Sequence, residues 1–530
     1  MQVYGHNYLK GVEHMNEKET GSFYTPEKLI KYMVSYLRNR INPQSILEPS
    51  AGDGRFVEAL KDFNVPISLV EFDETKADAL NQKYGDICKV ICSDFVKHSL
   101  NDPNTYDLII GNPPYIAKKN VPEDQYEQSE IIVDHFKIEK GVLQNLWVSF
   151  VLSSIKLLAP GGAIFFVLPF EFLQVQYAEK LRSFLETKFN TIEIITFEER
   201  IFEDIEQDIC LVYLTNEDQA KPYIQYTTLN GLEESKETFR SVIMRNKPLR
   251  KWSNCILNDE ETDKLLSLAK QYPAVKEFGE ISPGIVTGAN SFFILSKADM
   301  DNLHVPPQNI LPIVTKSSKI PALLVMKRED FEKTFADNHR THLLNLKGLT
   351  HDLFSKELRD HIAQGEKDEV DKGHKCSNRK PWYDVPIVKN GDACFFKRYN
   401  TIPRVVVNLD KIHTTDVIYN IRFKAEYDPS SFAFCFYNSL TLALCEYNGR
   451  FYGGGVGELV PSEFKALALP YQRIADDIVT KLDTMFREDT DIGTIIDYVD
   501  SIVLSNLEDN ELKLLQSIRQ RYLKRRLKAY

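Results

Sequence analysis

Ser45-Ile46-Leu47-Glu48-Pro49-Ser50-Ala51-Gly52-Asp53-Gly54 decides the fold of this chain. A short apolar run ends on an acid, turns through a proline and two glycines, and leads into Arg55 to Lys61, predicted as a short helix. The same alternation continues outward. Ile67 to Phe72 is predicted as a strand, Glu74 to Tyr84 as a helix, and Lys89 to Cys92 and Tyr106 to Ile110 as strands. Leu143 to Leu158 has its apolar residues at helical spacing and is stopped by Pro160-Gly161-Gly162. Ala163 to Leu168 is a buried-strand pattern, Tyr177 to Phe189 a helix, and Ile192 to Phe197 with Ile209 to Leu214 a closing strand pair. Such alternation implies a mostly parallel sheet with helices on both faces and ligands at the carboxyl ends of its strands.

Four of those strand ends carry, in order, Glu48, Glu71, Asp94 and Asn112. Glycines after Glu48 let the backbone come close to a ligand. A dinucleotide fingerprint would want a third glycine near Val57, and no Gly-Lys-Ser/Thr follows for a triphosphate. An acid at the first strand end suits a cationic ligand, and S-adenosylmethionine carries a sulfonium and an ammonium. Glu71 can accept both hydroxyls of a ribose. Asp94 can reach an adenine amine while Phe95 packs on the ring. Taken singly, each acid is explained as a solvated strand end; the ordered set is not.

Asn112-Pro113-Pro114-Tyr115 follows the run Tyr106 to Gly111. The Asn side-chain oxygen and the Pro113 carbonyl can both accept hydrogen bonds from an NH2 group, and the prolines fix the loop's φ angles. Tyr115 offers a flat face on which a base drawn out of a duplex can stack. The plain structural alternative is a Pro-Pro turn with a surface tyrosine. Methyl transfer to a planar, conjugated amine needs the first arrangement. The polar stretch 116–140 that follows is read as a lid over the reacting groups or, equally, as a surface insertion.

Together these residues resemble the gamma-class, TaqI-type DNA adenine-N6 methyltransferases of restriction–modification systems. The family's Thr-Pro before a helix is similar to Gly21-Ser22-Phe23-Tyr24-Thr25-Pro26, with the helix starting at Glu27. Its Glu-Pro-x-x-Gly-x-Gly loop matches Glu48 to Gly54, and Asp-Phe matches Asp94-Phe95. Asn-Pro-Pro-Tyr matches letter for letter. Asn145-Leu146-Trp147, and Ile201-Phe202-Glu203-Asp204 ahead of Asp208 to Leu214, are also similar. The resemblance covers residues 20–215 well. It continues weakly through Gly284 to Asn290, Pro381-Trp382-Tyr383, and Asn438-Ser439 to Gly455. It implies an α/β architecture: a Rossmann-like class I S-adenosylmethionine-dependent methyltransferase domain over 1–220 and a C-terminal mixed α/β DNA-recognition domain over 235–530 with a helical end. The catalytic residues implied are Asn112, Pro113, Pro114, Tyr115 and Phe202, although Phe197 lies close by and competes with Phe202 for the second aromatic. The cofactor residues implied are Thr25, Glu48, Ser50, Ala51, Gly52, Gly54, Glu71, Phe72, Asp94, Phe95 and Asn112. The cofactor is S-adenosylmethionine and the partner double-stranded DNA, with a cognate restriction endonuclease acting separately on the same site in some systems.

Composition agrees with such a protein. A chain of 530 residues, 43% hydrophobic and 27% charged, is expected to fold as two or three domains. No apolar stretch approaches a membrane span, and Met1 to Lys10 has no signal-peptide core, so a bacterial cytoplasmic enzyme is expected. The eight cysteines are scattered without zinc-ligand spacing, and no metal is expected. The net charge of -11 argues against a whole-surface nucleic-acid binder. Two basic regions stand out. Lys372 to Lys411 holds nine Lys/Arg against three Asp/Glu, and Leu512 to Tyr530 seven Lys/Arg and no acid. Arg379, Lys380, Lys397, Arg398 and Arg404 are candidates for DNA contacts, with ordinary surface charge as the alternative for each. Tyr226 to Lys270 is charged and mixed, and is read as a connector with some helix; Phe292 to Leu295 and Val405 to Asn408 are β-like.

The motif alone leaves other planar amines open. Methyltransferases of a protein glutamine amide and of ribosomal RNA guanine share Asn-Pro-Pro-Tyr. Their usual layouts place a domain ahead of the cofactor loop, whereas about 45 residues precede it here and more than 300 follow residue 220. N4-cytosine methylation usually goes with Ser in place of Asn112. A degenerate, non-enzymatic DNA-binding fold would have broken motifs. The 20 residues before Gly21 are too few for a nuclease domain. A solitary regulatory methyltransferase would have the same sequence features.

Overall fold

Ile46 and Leu47 have no exposed surface, as expected of a strand covered on both faces. They form β1 (Ile46–Glu48) in the computed structural model, which describes residues 24–202, 208–216, 221–233, 235–245, 249, 251–336, 339–349 and 351–528. Gly21, Ser22, Phe23, Glu203 and Asp204 of the motifs above lie outside the described residues. The described chain divides into two compact units, one within Met1–Asp259, Tyr452–Gly454 and Lys528–Tyr530, the other within Glu260–Phe451 and Gly455–Leu527.

The first unit is built on nine strands. After β1 come β2 (Ile67–Glu71), β3 (Cys88–Cys92), β4 (Tyr106–Gly111), β5 (Leu158–Pro169), β6 (Thr191–Phe197), β7 (Ile209–Thr215), β8 (Tyr223–Leu229) and β9 (Glu237–Met244). Their order is β3-β2-β1-β4-β5-β7-β6-β8-β9. β1 pairs in parallel with both β2 and β4, and β4 in parallel with β5, while β7 runs antiparallel to β5 and β6. The chain leaves β1 for β2 and β3 on one side and returns to β4 on the other. The crevice at the carboxyl ends of β1 and β4 is therefore the topological switch point, where open α/β sheets bind ligands.

Helices α1 (Glu27–Leu37), α2 (Arg55–Leu60), α3 (Glu74–Tyr84), α4 (Phe95–Asn101), α5 (Glu123–His135), α6 (Trp147–Lys156) and α7 (Glu179–Lys188) accompany the sheet. In α1, Leu29, Ile30, Met33, Val34 and Leu37 are buried, a single helical stripe. They join one core cluster with Ile46, Leu69, Leu108 and Phe165 from the sheet.

Three segments differ from what their sequence predicts. The stretch after Tyr226 is not a connector: β8 and β9 extend the sheet past residue 220, and among the described residues a short 3-10 turn, Trp252–Ile256, and the helix Asp259–Ala269 follow. The signal was the alternation within the mixed composition, since Ile224 and Tyr226 have no exposed surface while the charged Glu237 and Arg240 of the edge strand are not buried. The polar stretch 116–140 is not one long loop. Its middle is α5, which buries Ser129, Ile132 and Val133. Phe292–Leu295 is a turn of helix, Asn290–Phe293, ahead of a two-residue strand, Ile294–Leu295.

The second unit holds a five-stranded sheet of β10 (Gly279–Pro283), β11 (Val325–Met326), β12 (Ala393–Phe396), β13 (Arg404–Asn408) and β14 (Ile418–Phe423), in the order β10-β14-β12-β13-β11. Neighbours are antiparallel except β11 and β13. Helices α8 (Ser439–Asn448) and α9 (Asp509–Arg526) belong to its helical C-terminal half. The basic tail is not a free arm. Arg519, Arg525 and Arg526 are buried, and Arg526 pairs with the buried Glu446 at 2.8 Å. Among the described residues no helix is long and apolar enough to cross a membrane, and no group of three His, Cys, Asp or Glu could hold a metal.

Candidate active site

The loop after β1 is shaped by two left-handed glycines, Gly52 at φ 57° and Gly54 at φ 80°. A Cβ on Gly54 would meet Leu80 and Tyr84 of α3 at 2.7 Å, so that position needs glycine for both backbone and packing. The loop is tied to β2, because the Ala51 N–H donates to the Val70 carbonyl at 3.0 Å and the Gly52 N–H to Glu71 Oε2 at 2.7 Å. Glu71 Oε1 accepts from the Asp73 N–H at 3.0 Å. The carboxylate expected to meet a ribose thus also holds the glycine turn in place. Next to it the Phe72 ring is 64% exposed and open to a ligand. The Tyr24 ring faces Gly52 and carries the Arg55 guanidinium 4.9 Å from its centroid. Thr25 is buried, and its carbonyl accepts from Arg55 at 3.5 Å.

Glu48 is 1% exposed, and its Oε2 is buried with no hydrogen-bond partner. Burial first, and then the carboxylates of Glu71 and Asp53, push its pKa well above the ordinary carboxylate range. A buried acid without a partner is costly unless a cation or donor meets it. The chemistry of this position therefore fits a cationic ligand arriving at the end of β1.

Asp94 caps α4 by accepting from the Lys97 N–H at 2.7 Å, and its other oxygen accepts from Gln125 on α5. The Phe95 ring is 2% exposed and packs on Phe150 with centroids 5.0 Å apart. It supports the site from the core and presents no face to a ligand, which corrects the expectation that it packs directly on an adenine. Gln125 was not singled out in the sequence, because a lone Gln in a polar stretch has no distinguishing signal.

The loop after β4 is joined to the loop after β1: the Ser50 hydroxyl donates to the Asn112 carbonyl at 3.0 Å. Pro113 is buried and Pro114 half-buried. The Tyr115 hydroxyl donates to the Val167 carbonyl near the end of β5 at 3.1 Å, which anchors the far end of its ring. Burial holds its pKa well above the usual phenol range, so it stays neutral. The ring packs against the cluster that contains Phe202, which is 7% exposed. Phe197, the competing aromatic, has no exposed surface and meets Tyr32 edge-on. Phe202 is thus the one of the two with any surface to offer. Glu171 is a further acid of this neighbourhood: its charge is felt at Tyr115, it accepts from the Tyr177 hydroxyl at 3.1 Å, and burial raises its pKa. Its signal was an acid inside the apolar run Pro169-Phe170-Glu171-Phe172-Leu173.

Two family models divide the chain between them. The Eco57I restriction-modification methylase model matches residues 50–202, and that of the C-terminal domain of the Type II methyltransferase M.Eco57I matches residues 249–504. The first spans the crevice from Ser50 to Phe202. The chain belongs to the methyltransferases of restriction–modification systems. Type II methyltransferase M.AccI of Acinetobacter calcoaceticus is 22% identical to this methyltransferase over 495 residues, 86% of each chain. M.XamI of Xanthomonas campestris pv. amaranthicola is 23% identical over 480 residues, 85% of each. M.HincII of Haemophilus influenzae is 32% identical, over 194 residues and 36% of each chain. Among solved structures, the Type IIL restriction-modification enzyme MmeI, in complex with DNA, superposes with a TM-score of 0.55 at 12% identity, over 94% of this chain and 75% of that one. The fold of that restriction-modification enzyme is thereby shared.

The DNA-contact candidates in the second unit separate into two kinds. Arg404 donates to the carbonyls of Ser317 at 3.0 Å and of Pro321, and burial lowers its pKa. It is a structural cation, which corrects its expected availability to DNA. Lys397 and Arg398 share Glu458 at 3.7 and 3.5 Å. Arg379 donates to the Val286 and Thr287 carbonyls, both at 2.7 Å, and Lys380 is exposed.

Proposed function

We propose that this methyltransferase transfers a methyl group from S-adenosylmethionine to N6 of an adenine flipped out of double-stranded DNA. The observation that carries this reading is the loop Asn112–Tyr115 at the switch point, tied by Ser50 to the loop of the buried Glu48 and by Tyr115 to β5. Glu48 would meet the cationic amino acid part of the cofactor, Glu71 its ribose, and Phe72 its adenine. When bound, S-adenosylmethionine supplies an electrophilic methyl on a sulfonium. Tyr115, with Phe202, would hold the flipped base by stacking. Asn112 and the Pro113 carbonyl would accept hydrogen bonds from the N6 amine, which turns its lone pair out of conjugation and towards the methyl carbon. The C–N bond forms as the C–S bond breaks, and N6 then releases one proton. These fixed acceptors stabilise the positive charge that develops on nitrogen. The first unit would carry catalysis, and the second would recognise the DNA sequence, protecting it from a separate restriction endonuclease.

Single-molecule sequencing of DNA from a methylation-free bacterial host that expresses the chain tests this, with Asn112→Ala as control. N6-methyladenine in one fixed sequence context, absent in the control, is the expected result. Unmodified DNA from soluble, cofactor-binding protein would overturn the DNA reading in favour of an RNA or protein amine.

A further inference from the structure

The second unit contains a cleft of about 510 Å³ beside β10, with Lys375, Arg379, Lys389 and Arg422 around it and Val286 and Val388 in its walls. Its charge balance differs from that of the rest of the basic region. Arg422 is paired with Glu280 at 2.5 Å. Arg379 has only neutral acceptors, the two carbonyls of the turn it braces, so its charge remains uncompensated. Lys375 and Lys389 are exposed, and among the described residues neither has an ion-pair partner. Elsewhere in the stretch, Lys372 pairs with Glu369, Lys397 and Arg398 with Glu458, and Lys411 with Asp392, while Arg404 is bound by carbonyls. Internal pairing thus leaves Lys375, Arg379 and Lys389 at the cleft as free positive charge, together with the exposed Lys380, next to Arg379 in sequence and outside the cleft lining, which has no ion-pair partner among the described residues either. Its volume is that of a site for one small group, in a range of about 300–1,000 Å³, and its apolar walls suit a sugar more than a hydrated ion.

We propose that this cleft holds one backbone phosphate and its deoxyribose from the bound DNA, with Lys375 and Lys389 on the phosphate and Arg379 setting the field. The proposal deepens the DNA reading above and rests on it. It assigns the phosphate grip to this cleft in place of Lys397, Arg398, Arg404 and the buried C-terminal arginines. The cations would position the duplex without reading its sequence.

The test is fluorescence anisotropy of a mixed-sequence duplex with the full chain across a series of salt concentrations. It compares the wild type, the double variant Lys375→Ala/Lys389→Ala, and the charge-matched control Lys397→Ala/Arg398→Ala. Lys375, Lys389 and Arg398 are exposed and Lys397 is partly buried, and a thermal unfolding profile of the full chain that matches the wild type shows that each variant is folded. Loss of one phosphate contact should flatten the slope of log K against log salt by about 0.9 in the cleft variant, with the control unchanged. An unchanged slope in the cleft variant, with the wild type binding DNA, overturns the proposal alone. The same holds if inorganic phosphate or a mononucleotide stabilises the wild type and not the cleft variant while the DNA slopes agree. A wild type that binds no duplex at all overturns the DNA reading together with the proposal.

Discussion

The Ser50 hydroxyl donates to the backbone carbonyl of Asn112 at 3.0 Å, joining the turn after β1 to the turn after β4. The two segments are 62 residues apart in sequence, and each carries one half of the proposed chemistry. Ser50→Ala should therefore lower kcat by up to about tenfold, the worth of one hydrogen bond, with little change in cofactor affinity. Steady-state methyl transfer alongside cofactor titration separates the two. An equal loss in both would place Ser50 in cofactor binding and not in positioning Asn112.

Tyr115 divides its work between ring and hydroxyl. The ring is expected to stack on the base, worth about 1–3 kcal/mol, and the hydroxyl holds the ring through the Val167 carbonyl. Tyr115→Ala should cost roughly 5–150-fold in kcat/KM by that measure, and Tyr115→Phe clearly less. Fluorescence of 2-aminopurine at the target position reports flipping directly. Equal deficits in the two variants would argue against stacking.

Glu48 makes the protein pH-dependent. Its folded-state pKa lies above the unfolded value, so its favourable contribution is complete below the ordinary carboxylate range and is lost as pH rises through the folded pKa. The cofactor-free protein should lose stability over that interval. A cationic ligand reverses the preference, so binding should release a proton and tighten as pH rises. Glu48→Gln should raise the melting temperature at alkaline pH, by about 2–4 °C per kcal/mol, while weakening cofactor binding by roughly tenfold or more. Calorimetry in buffers of different ionisation enthalpy counts the proton; no proton release would refute this role.

Gly54 and Gly161 share positive φ angles, 80° and 76°, but differ in surroundings. A methyl group added at Gly161 would meet nothing within 4 Å, whereas one at Gly54 would meet Leu80 and Tyr84 at 2.7 Å. Gly161→Ala should cost about 1 kcal/mol, for strain alone, and Gly54→Ala more than about 2 kcal/mol, for strain with overpacking. Chemical denaturation of both variants checks the ordering. Equal losses would mean that α3 moves aside freely.

Sequence alone determined most of the alternation of strand and helix through Thr215, the turn glycines and the strand-end acids, because these depend on local periodicity and on backbone angles that few residues adopt. Glu74–Tyr84 is helical over the range that its spacing predicted. The continuation of the sheet through β8 and β9 was hidden, since an edge strand with one wet face has a mixed composition. The helix of 123–135 was hidden because its buried stripe is only three residues wide. Whether a charge is available was decided by tertiary structure alone. Arg404 and Arg526 have the same sequence character as Lys375 and Lys389, yet the first two are bound by Ser317 and Glu446 while the others have no ion-pair partner among the described residues. Partners distant in sequence neutralise a cation, and no local pattern records them. Phe95 and Phe72 show the same limit: both follow an acid at a strand end, and only packing buries one and leaves the other 64% exposed.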